Sequence, residues 1–391
     1  MRHRIIPAFF ACIFALTLLA APYVLGSGSL PDGTVRIGVI APLTGPFASG
    51  GSSFMKSLSI AAKRANEETG PSGRRVVLVQ GDSEGLVSRA RNEALRLIER
   101  EKVHFLIGAY LSEETMGVIE VAAKYRIVLM VPISATDEIT DLVKKDPRRY
   151  RYIFRTGYSI ARWASMIGEF VAARGCSRYA FIGSRIRWNR ELRRSLKKYL
   201  EEKNITEVIA DFYSPKQPVI KPLARKVKDA APGIIIAGDP GINAIEVIKS
   251  LEMIEFGGPV LSVGGTLADA RVVAELRPNF PLFALASFFP GSSDRGTVYF
   301  DRFEKTYGYT PSGYSDTLPG DALSILMEAV SRAGVLEGER VADELERGRF
   351  PGAAGIYSFD SFHQATWGSH ELPGVIIRWN KTAFELIHPE K

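Results

Sequence analysis

Two short loops of this 391-residue chain concentrate hydroxyl groups just where a helix is about to begin. One reads Gly108-Ala109-Tyr110-Leu111-Ser112-Glu113-Glu114-Thr115 and the other Pro132-Ile133-Ser134-Ala135-Thr136. Each follows an apolar run, Phe105-Leu106-Ile107 and residues 127–131, with the length of a buried strand. The first N–H groups of a helix lack intrahelical partners and sit at the positive end of its dipole. Hydroxyls beside them make a neutral cradle for a carboxylate. The same groups also serve as N-caps, and then Ser112 and Thr136 merely close their own helices. Residue type alone leaves both readings open. A third loop, Pro42-Leu43-Thr44-Gly45-Pro46-Phe47, occupies the equivalent place after the first strand.

Competing chemistry finds no residues to carry it. The five histidines (His3, His104, His363, His370, His388) show no HExxH spacing and no Cys-x-x-Cys partner. His363 and His370, near the C-terminal strands, are expected on the surface. No GxSxG elbow is present. Residues 45–52 space their glycines like a phosphate loop but lack the lysine that reaches the phosphates, and no GxGxxG follows the first strand. The expectation is a protein without catalytic residues, metal or cofactor. Of the two cysteines, Cys12 lies in the leader, so Cys176 is left to act as a small packed residue.

The elements that position these loops repeat. Val35-Arg36-Ile37-Gly38-Val39-Ile40 reads as a strand, and Phe54, Leu58, Ala61, Ala62 and Ala65 recur at helical spacing after it. Strands at 76–79, 105–107 and 127–131 alternate with helices at 87–101 and 113–124. The alternation restarts after Thr156, with strands at 179–182, 208–212, 234–236 and 260–263. Helices follow Trp188, Ile220 and Ile242. Short apolar strands alternating with amphipathic helices imply parallel-rich sheets covered on both faces. Two such runs imply an α/β protein of two similar lobes. The tail from Leu282 reads as strand, helix, helix and then strands at 356–359 and 375–379; it is too short for a third lobe and is expected to cross back and complete both sheets. The lobes are therefore expected at 34–154 plus 288–348 and at 156–284 plus 352–384, with a hinge near 155–157, 285–289 and 350–355.

Composition fits an ordinary globular protein: 46% hydrophobic, 24% charged, net charge +7. Basic residues are interleaved with acidic ones, as in Glu93, Arg96, Glu99, Arg100, Glu101 and Lys102, so no nucleic-acid stripe is expected. Arg2, His3 and Arg4 precede an uncharged stretch over 5–26 that has the layout of a signal peptide. It is also long enough to serve as an uncleaved anchor. Either way the remainder is expected outside the cytoplasm.

The chain resembles the type I periplasmic binding proteins, in the leucine/isoleucine/valine-binding branch of ABC transport systems. The likeness is carried by Ile37-Gly38-Val39-Ile40-Ala41-Pro42-Leu43-Thr44-Gly45-Pro46-Phe47-Ala48 and by Phe105-Leu106-Ile107-Gly108 with Ser112 and Thr115. Pro132-Ile133-Ser134-Ala135-Thr136 and Tyr152-Ile153-Phe154-Arg155-Thr156 extend it. The resemblance implies two lobes joined by three crossovers, a ligand in the cleft and an ABC permease as membrane partner. It implies that Ser112 and the hydroxyl and amide of Thr136 hold a ligand carboxylate, and that the Ser134 carbonyl accepts from an ammonium. It places Trp188 where an aromatic closes over the ligand. The candidate binding set is thus Ser112, Thr115, Ser134, Ala135, Thr136, Trp188 and Asp239. Asp239 enters because Val263-Gly264-Gly265 lacks the acidic residue that the family often has there for the ammonium, and Asp239 is the nearest substitute by position. Gly50 stands where an aromatic is frequent, and the first-lobe cysteine pair is absent. The expected ligand is an amino acid, or a carboxylate without an amine. A sensor ectodomain signalling through a membrane partner shares the fold and is the alternative function.

Overall fold

The computed structural model describes residues 33–68 and 73–388, so the leader at 1–26 lies outside the described residues. The first run of elements is β1 (Thr34–Ala41), α1 (Ala48–Glu67), β2 (Arg75–Asp82), α2 (Val87–Glu99), β3 (Phe105–Gly108), α3 (Ser112–Tyr125), β4 (Leu129–Val131), α4 (Glu138–Lys145) and β5 (Ile153–Arg155). Its five strands form one parallel sheet in the order β2-β1-β3-β4-β5. β3, β4 and β5 are buried at every position, as strands covered on both faces must be. α2 buries Ala90, Ala94, Leu97 and Ile98, one stripe at helical spacing.

The second run begins with α5 (Ile160–Ala173), β6 (Arg178–Ser184), α6 (Arg187–Glu201), β7 (Thr206–Tyr213) and α7 (Lys221–Asp229). It continues with β8 (Ile234–Gly238), α8 (Asn243–Met253), β9 (Val260–Val263), α9 (Ala270–Leu276) and β10 (Leu282–Ala286). α6 places Trp188, Leu192, Leu196 and Leu200 on one buried face, each worth about 1.5–3 kcal/mol of transfer free energy.

The tail holds three helices, not the two expected: α10 (Asp294–Tyr307), α11 (Leu318–Ala333) and α12 (Gly338–Arg347). α12 escapes a periodicity reading because only Val341, Ala342 and Leu345 of its ten residues are buried. α11 is tied to α1 through Ser57, whose hydroxyl donates to the Thr317 carbonyl (3.0 Å) and accepts from Gly320 N–H (2.8 Å). β11 (Phe350–Pro351) and β12 (Ile356–Tyr357) form a two-stranded ribbon, while β13 (Val375–Trp379) and β14 (Phe384–His388) join the second sheet in the order β14-β13-β10-β9-β8-β6-β7. The strands β13 and β14 thus extend the second sheet, while the first receives helices and, beside β5, a single parallel bridge between Arg155 and Gln364. The chain passes between the two layers three times, after β5, after β10 and between α12 and β13.

His363 is buried, not on the surface. Its ring stacks on Phe154 (centroids 4.2 Å apart) and its Nδ1 lies 3.1 Å from the Ile153 carbonyl. The returning segment around it runs beside β5, where Arg155 N–H donates to the His363 carbonyl (2.9 Å) and Ala365 N–H to the Arg155 carbonyl (2.9 Å). Burial pulls the His363 imidazole below its ordinary pKa, opposed by Glu346 and by the Ile153 contact.

Candidate ligand site

β3 and β4 are neighbours, so the loops after them emerge side by side at the carboxyl edge of the first sheet. The loops after β6, β8 and β9 emerge together from the second. In open α/β sheets this edge is where ligands bind. Between the two edges lies a cavity walled on one side by Tyr110, Leu111, Ser112, Ile133, Ser134 and Ala135, and on the other by Ile186, Trp188, Pro240 and Gly264; Tyr314, from the loop before α11, completes it. About 30 Å³ of it is open to the centres of water molecules, room for a water or two. The lobes are closed on each other. Tyr110 OH lies 3.4 Å from the Pro240 carbonyl, Arg187 N–H donates to Glu113 Oε1 (2.8 Å), and the Arg187 guanidinium pairs with Glu138.

The first wall is rich in polar groups without protein partners. Ser134 Oγ is buried and makes no hydrogen bond among the described residues. The Ala135 carbonyl accepts from Ile160 N–H (2.8 Å) and the Thr136 carbonyl from Arg155. In a trans peptide the N–H points opposite to its C=O, so the Thr136 and Asp137 N–H groups lie on the far side of the loop from those anchors. Among the described residues neither they nor the Ser134 and Ala135 N–H groups donate a hydrogen bond within the protein, although Ser134, Ala135 and Thr136 are at most 2% exposed. Buried N–H groups without partners are rare, and several in one loop have the character of an anion receptor.

A family model described as periplasmic binding protein matches residues 34–380. The chain belongs to the periplasmic binding protein family. Among curated relatives, this binding protein is 23% identical over 375 residues to Leu/Ile/Val-binding protein homolog 1 of Brucella abortus, covering 95% of this chain and 96% of the relative. It is 24% identical over 251 residues to homolog 3 of Brucella melitensis, covering 64% and 66%. Among solved structures it resembles the leucine binding protein LivK of Thermotoga maritima, with a TM-score of 0.77 at 20% identity over 90% of this chain and 98% of that one. A solute binding protein of Rhodopseudomonas palustris in complex with benzoate gives a TM-score of 0.81 at 18% identity over 91% and 96%. The fold is that of the type I periplasmic binding proteins, two lobes on two parallel-rich sheets.

Of the seven residues singled out from the sequence, Ser112, Ser134, Ala135 and Trp188 line the cavity of this binding protein. Ser112 is the first residue of α3 and caps nothing; Leu111 precedes the helix, and its N–H is taken by Glu114 (2.9 Å). Trp188 meets Trp163 edge-on at 5.7 Å. The other three lie behind the wall. The Thr115 hydroxyl donates to the Leu111 carbonyl (2.9 Å). The Thr136 hydroxyl accepts from Glu138 N–H (3.4 Å) at the start of α4. Asp239 is 3% exposed, and its carboxylate accepts from Tyr213 OH and from Gly241 N–H (2.6 Å). Burial pushes this carboxyl up to about 6, held back by Tyr213, Gly241 and Ser184. The adjoining Gly264, at φ +127°, approaches the Asp239 backbone so closely that a Cβ would lie 2.6 Å from its carbonyl oxygen.

Sequence reasoning passed over Tyr110, Ile133, Ile186, Pro240 and Tyr314. For Tyr110 a signal existed in Gly50: a Cβ at that position would lie 2.4 Å from the Tyr110 hydroxyl oxygen, so this ring fills the space that the missing side chain leaves. Burial pushes the Tyr110 phenol up to about 12, keeping it a neutral donor. Tyr314 reaches the site from far along the chain, its hydroxyl donating to the Ile133 carbonyl (3.2 Å).

Proposed function

We propose that this chain is the extracytoplasmic substrate-binding component of an ABC transporter and captures an amino acid or a related small carboxylate, aromatic acids included, in the cleft. The observation that carries the reading is the loop after β4, with the unpartnered N–H groups of the buried residues Ser134, Ala135 and Thr136 and the Ser134 hydroxyl. Ser112 Oγ and the Thr136 amide complete the carboxylate receptor from adjacent strand ends. Trp188 closes over the ligand body from the second lobe, with Ala135 opposite. Thr115 supports the Ser112 turn through Leu111. Where the ligand carries an ammonium, the Ser134 carbonyl receives it, and Asp239 supplies negative charge from behind the second wall. The names of the curated relatives and the family match support the transport role and a location outside the cytoplasm. The lobes are taken as 34–154 plus 288–348 and 156–284 plus 352–384, opening about a hinge at 155–157, 285–289 and 350–355.

The test is a thermal-shift and calorimetric screen of the twenty amino acids with benzoate and hydroxylated benzoates. A true ligand at 100 times its Kd stabilises the native state by about 2.7 kcal/mol. Small-angle scattering should show the ligand-bound protein more compact than the ligand-stripped protein. Stabilisation by none of these carboxylates overturns the reading.

A further inference from the structure

Arg155 ends β5, on the first crossing between the lobes, and its side chain is among the most completely buried in the protein at 1% exposure. Its guanidinium donates to the Thr136 carbonyl, to Gln364 Oε1 and, at 3.4 Å, to Thr140 Oγ1. All three acceptors are neutral. Among the described residues no carboxylate forms an ion pair with it; Asp137, Asp360 and Asp141 act only from greater distance, and burial dominates, pulling Arg155 down to about 10. Arg151, just before β5, is the contrast: it is half-buried and surrounded by Asp343, Glu346 and Glu339. A buried cation without a bonded anion costs several kcal/mol.

The place of this charge is informative. Arg155 holds the Thr136 carbonyl, which also accepts from Ile139 N–H (3.3 Å), so the Asp137 N–H of the same peptide points the other way; the preceding peptide joins Thr136 to Ala135 on the cavity wall. We infer that Arg155 is a positioning residue for the ligand carboxylate: from behind the 134–137 loop it keeps the Thr136 carbonyl turned away from the cleft and supplies the buried positive charge that the ligand's anion balances. The inference rests on the carboxylate reading of the site. It also accounts for the anchoring of Gln364, whose Nε2 donates to the Gly157 carbonyl (2.9 Å) while its Oε1 holds the guanidinium. The charge at the ligand loop is thereby linked to the hinge.

The experiment measures, by calorimetry on the full-length exported protein, the affinities of leucine, isoleucine and benzoate and of their primary amides. Native protein, Arg155→Met and Arg155→Lys are compared. The native protein should prefer acid to amide by about 100-fold or more. Arg155→Met should weaken both compounds, the acid about 10- to 100-fold more than the amide, so that the acid-to-amide ratio collapses. Arg155→Lys should keep that ratio within about threefold while weakening both compounds, because the charge stays and the two-pronged hold on the loop is lost. A ratio in Arg155→Met equal to the native one, whether both affinities fall or neither moves, overturns the inference and leaves Arg155 a structural tie. Should Arg155→Met not fold, Arg155→Lys decides, a collapsed ratio there being the overturning result. Where the native protein binds a different carboxylate of the screen, that acid and its primary amide take the place of these three; native protein that binds no carboxylate of the screen overturns the reading of the site, and this inference with it.

Discussion

The two edges of the cleft are built from the same kind of strand-to-helix loop and end in opposite states. At the first edge, Ser134 Oγ and the N–H groups of Ser134, Ala135 and Thr136 are buried and, among the described residues, unpartnered. At the second, the buried carboxylate of Asp239 is satisfied by Tyr213 and Gly241, and the wall it supports is Ile186, Trp188, Pro240 and Gly264. Unsatisfied buried donors cost stability, a cost that a ligand bound at this edge returns. On the proposed reading, the first edge holds the charged end of the ligand and the second provides a preformed apolar face that closes on it.

The most severe way to break this contrast is at the second edge. Gly264→Val forces a β-branched residue into a left-handed backbone and drives its Cβ against the Asp239 carbonyl. Loss of binding by more than about 100-fold is expected, with a fall in melting temperature corresponding to a few kcal/mol. Unchanged calorimetric affinity would show that the second wall is not needed.

Next in size is a pH effect from Asp239. Its folded pKa, raised to about 6, lies above its ordinary value near 4, so the native state binds the proton more tightly than the unfolded chain. The destabilisation from its ionisation is absent below pH 4, grows between pH 4 and 6 and is complete above, reaching up to about 3 kcal/mol. Urea melts from pH 4 to 7 should show this fall in native protein and a smaller one in Asp239→Asn. Parallel slopes would refute the assignment. Binding sharpens the point: Asp239→Asn should weaken an amino acid and spare an acid without an amine.

At the first edge, Ser134→Ala should weaken the ligand about 10-fold and leave the ligand-free protein as stable or more stable by up to about 1 kcal/mol, because a buried unpaired hydroxyl is removed. A structural serine would lose stability instead. Thr136→Val is expected to cost less, about threefold in affinity or under, since its hydroxyl is engaged with Glu138 N–H; a loss larger than that of Ser134→Ala would reverse the ranking of the two. The smallest effect concerns the bridge between the edges. Arg187→Gln removes the partly exposed pair with Glu138 and should weaken binding about twofold, a difference that vanishes in 1 M salt.

Much of the first edge was legible because strands and helices announce themselves by period, and the residues just past a strand fall at the sheet's carboxyl edge. Ser112 and the loop that holds Ser134 and Ala135 were placed at that edge in this way, while the parts given to Ser134 and Trp188 came from the family likeness. Loops carry no period, however. Which of two hydroxyls two residues apart, Ser134 or Thr136, meets the cavity depends on how Arg155 and Ile160 hold the intervening carbonyls, and those partners lie about 20 residues away. His363 was misplaced for a related reason: a lone histidine between short strands carries no sign of the ring of Phe154 on which it stacks.

By itself, then, the sequence determined the alternation of apolar strands and amphipathic helices, its restart after Thr156, and the positions of the loops that bear the site, because burial on two faces of a sheet requires those patterns wherever the chain goes. The tertiary structure alone decided which polar groups are left without partners. It set Tyr213 on Asp239, Tyr110 in the space left by Gly50, Tyr314 on Ile133 and Arg155 behind Thr136. Hydrogen-bond satisfaction is a property of groups brought within about 3 Å of one another, and Tyr314 and Ile133, the most distant of these pairs, are separated by 181 residues.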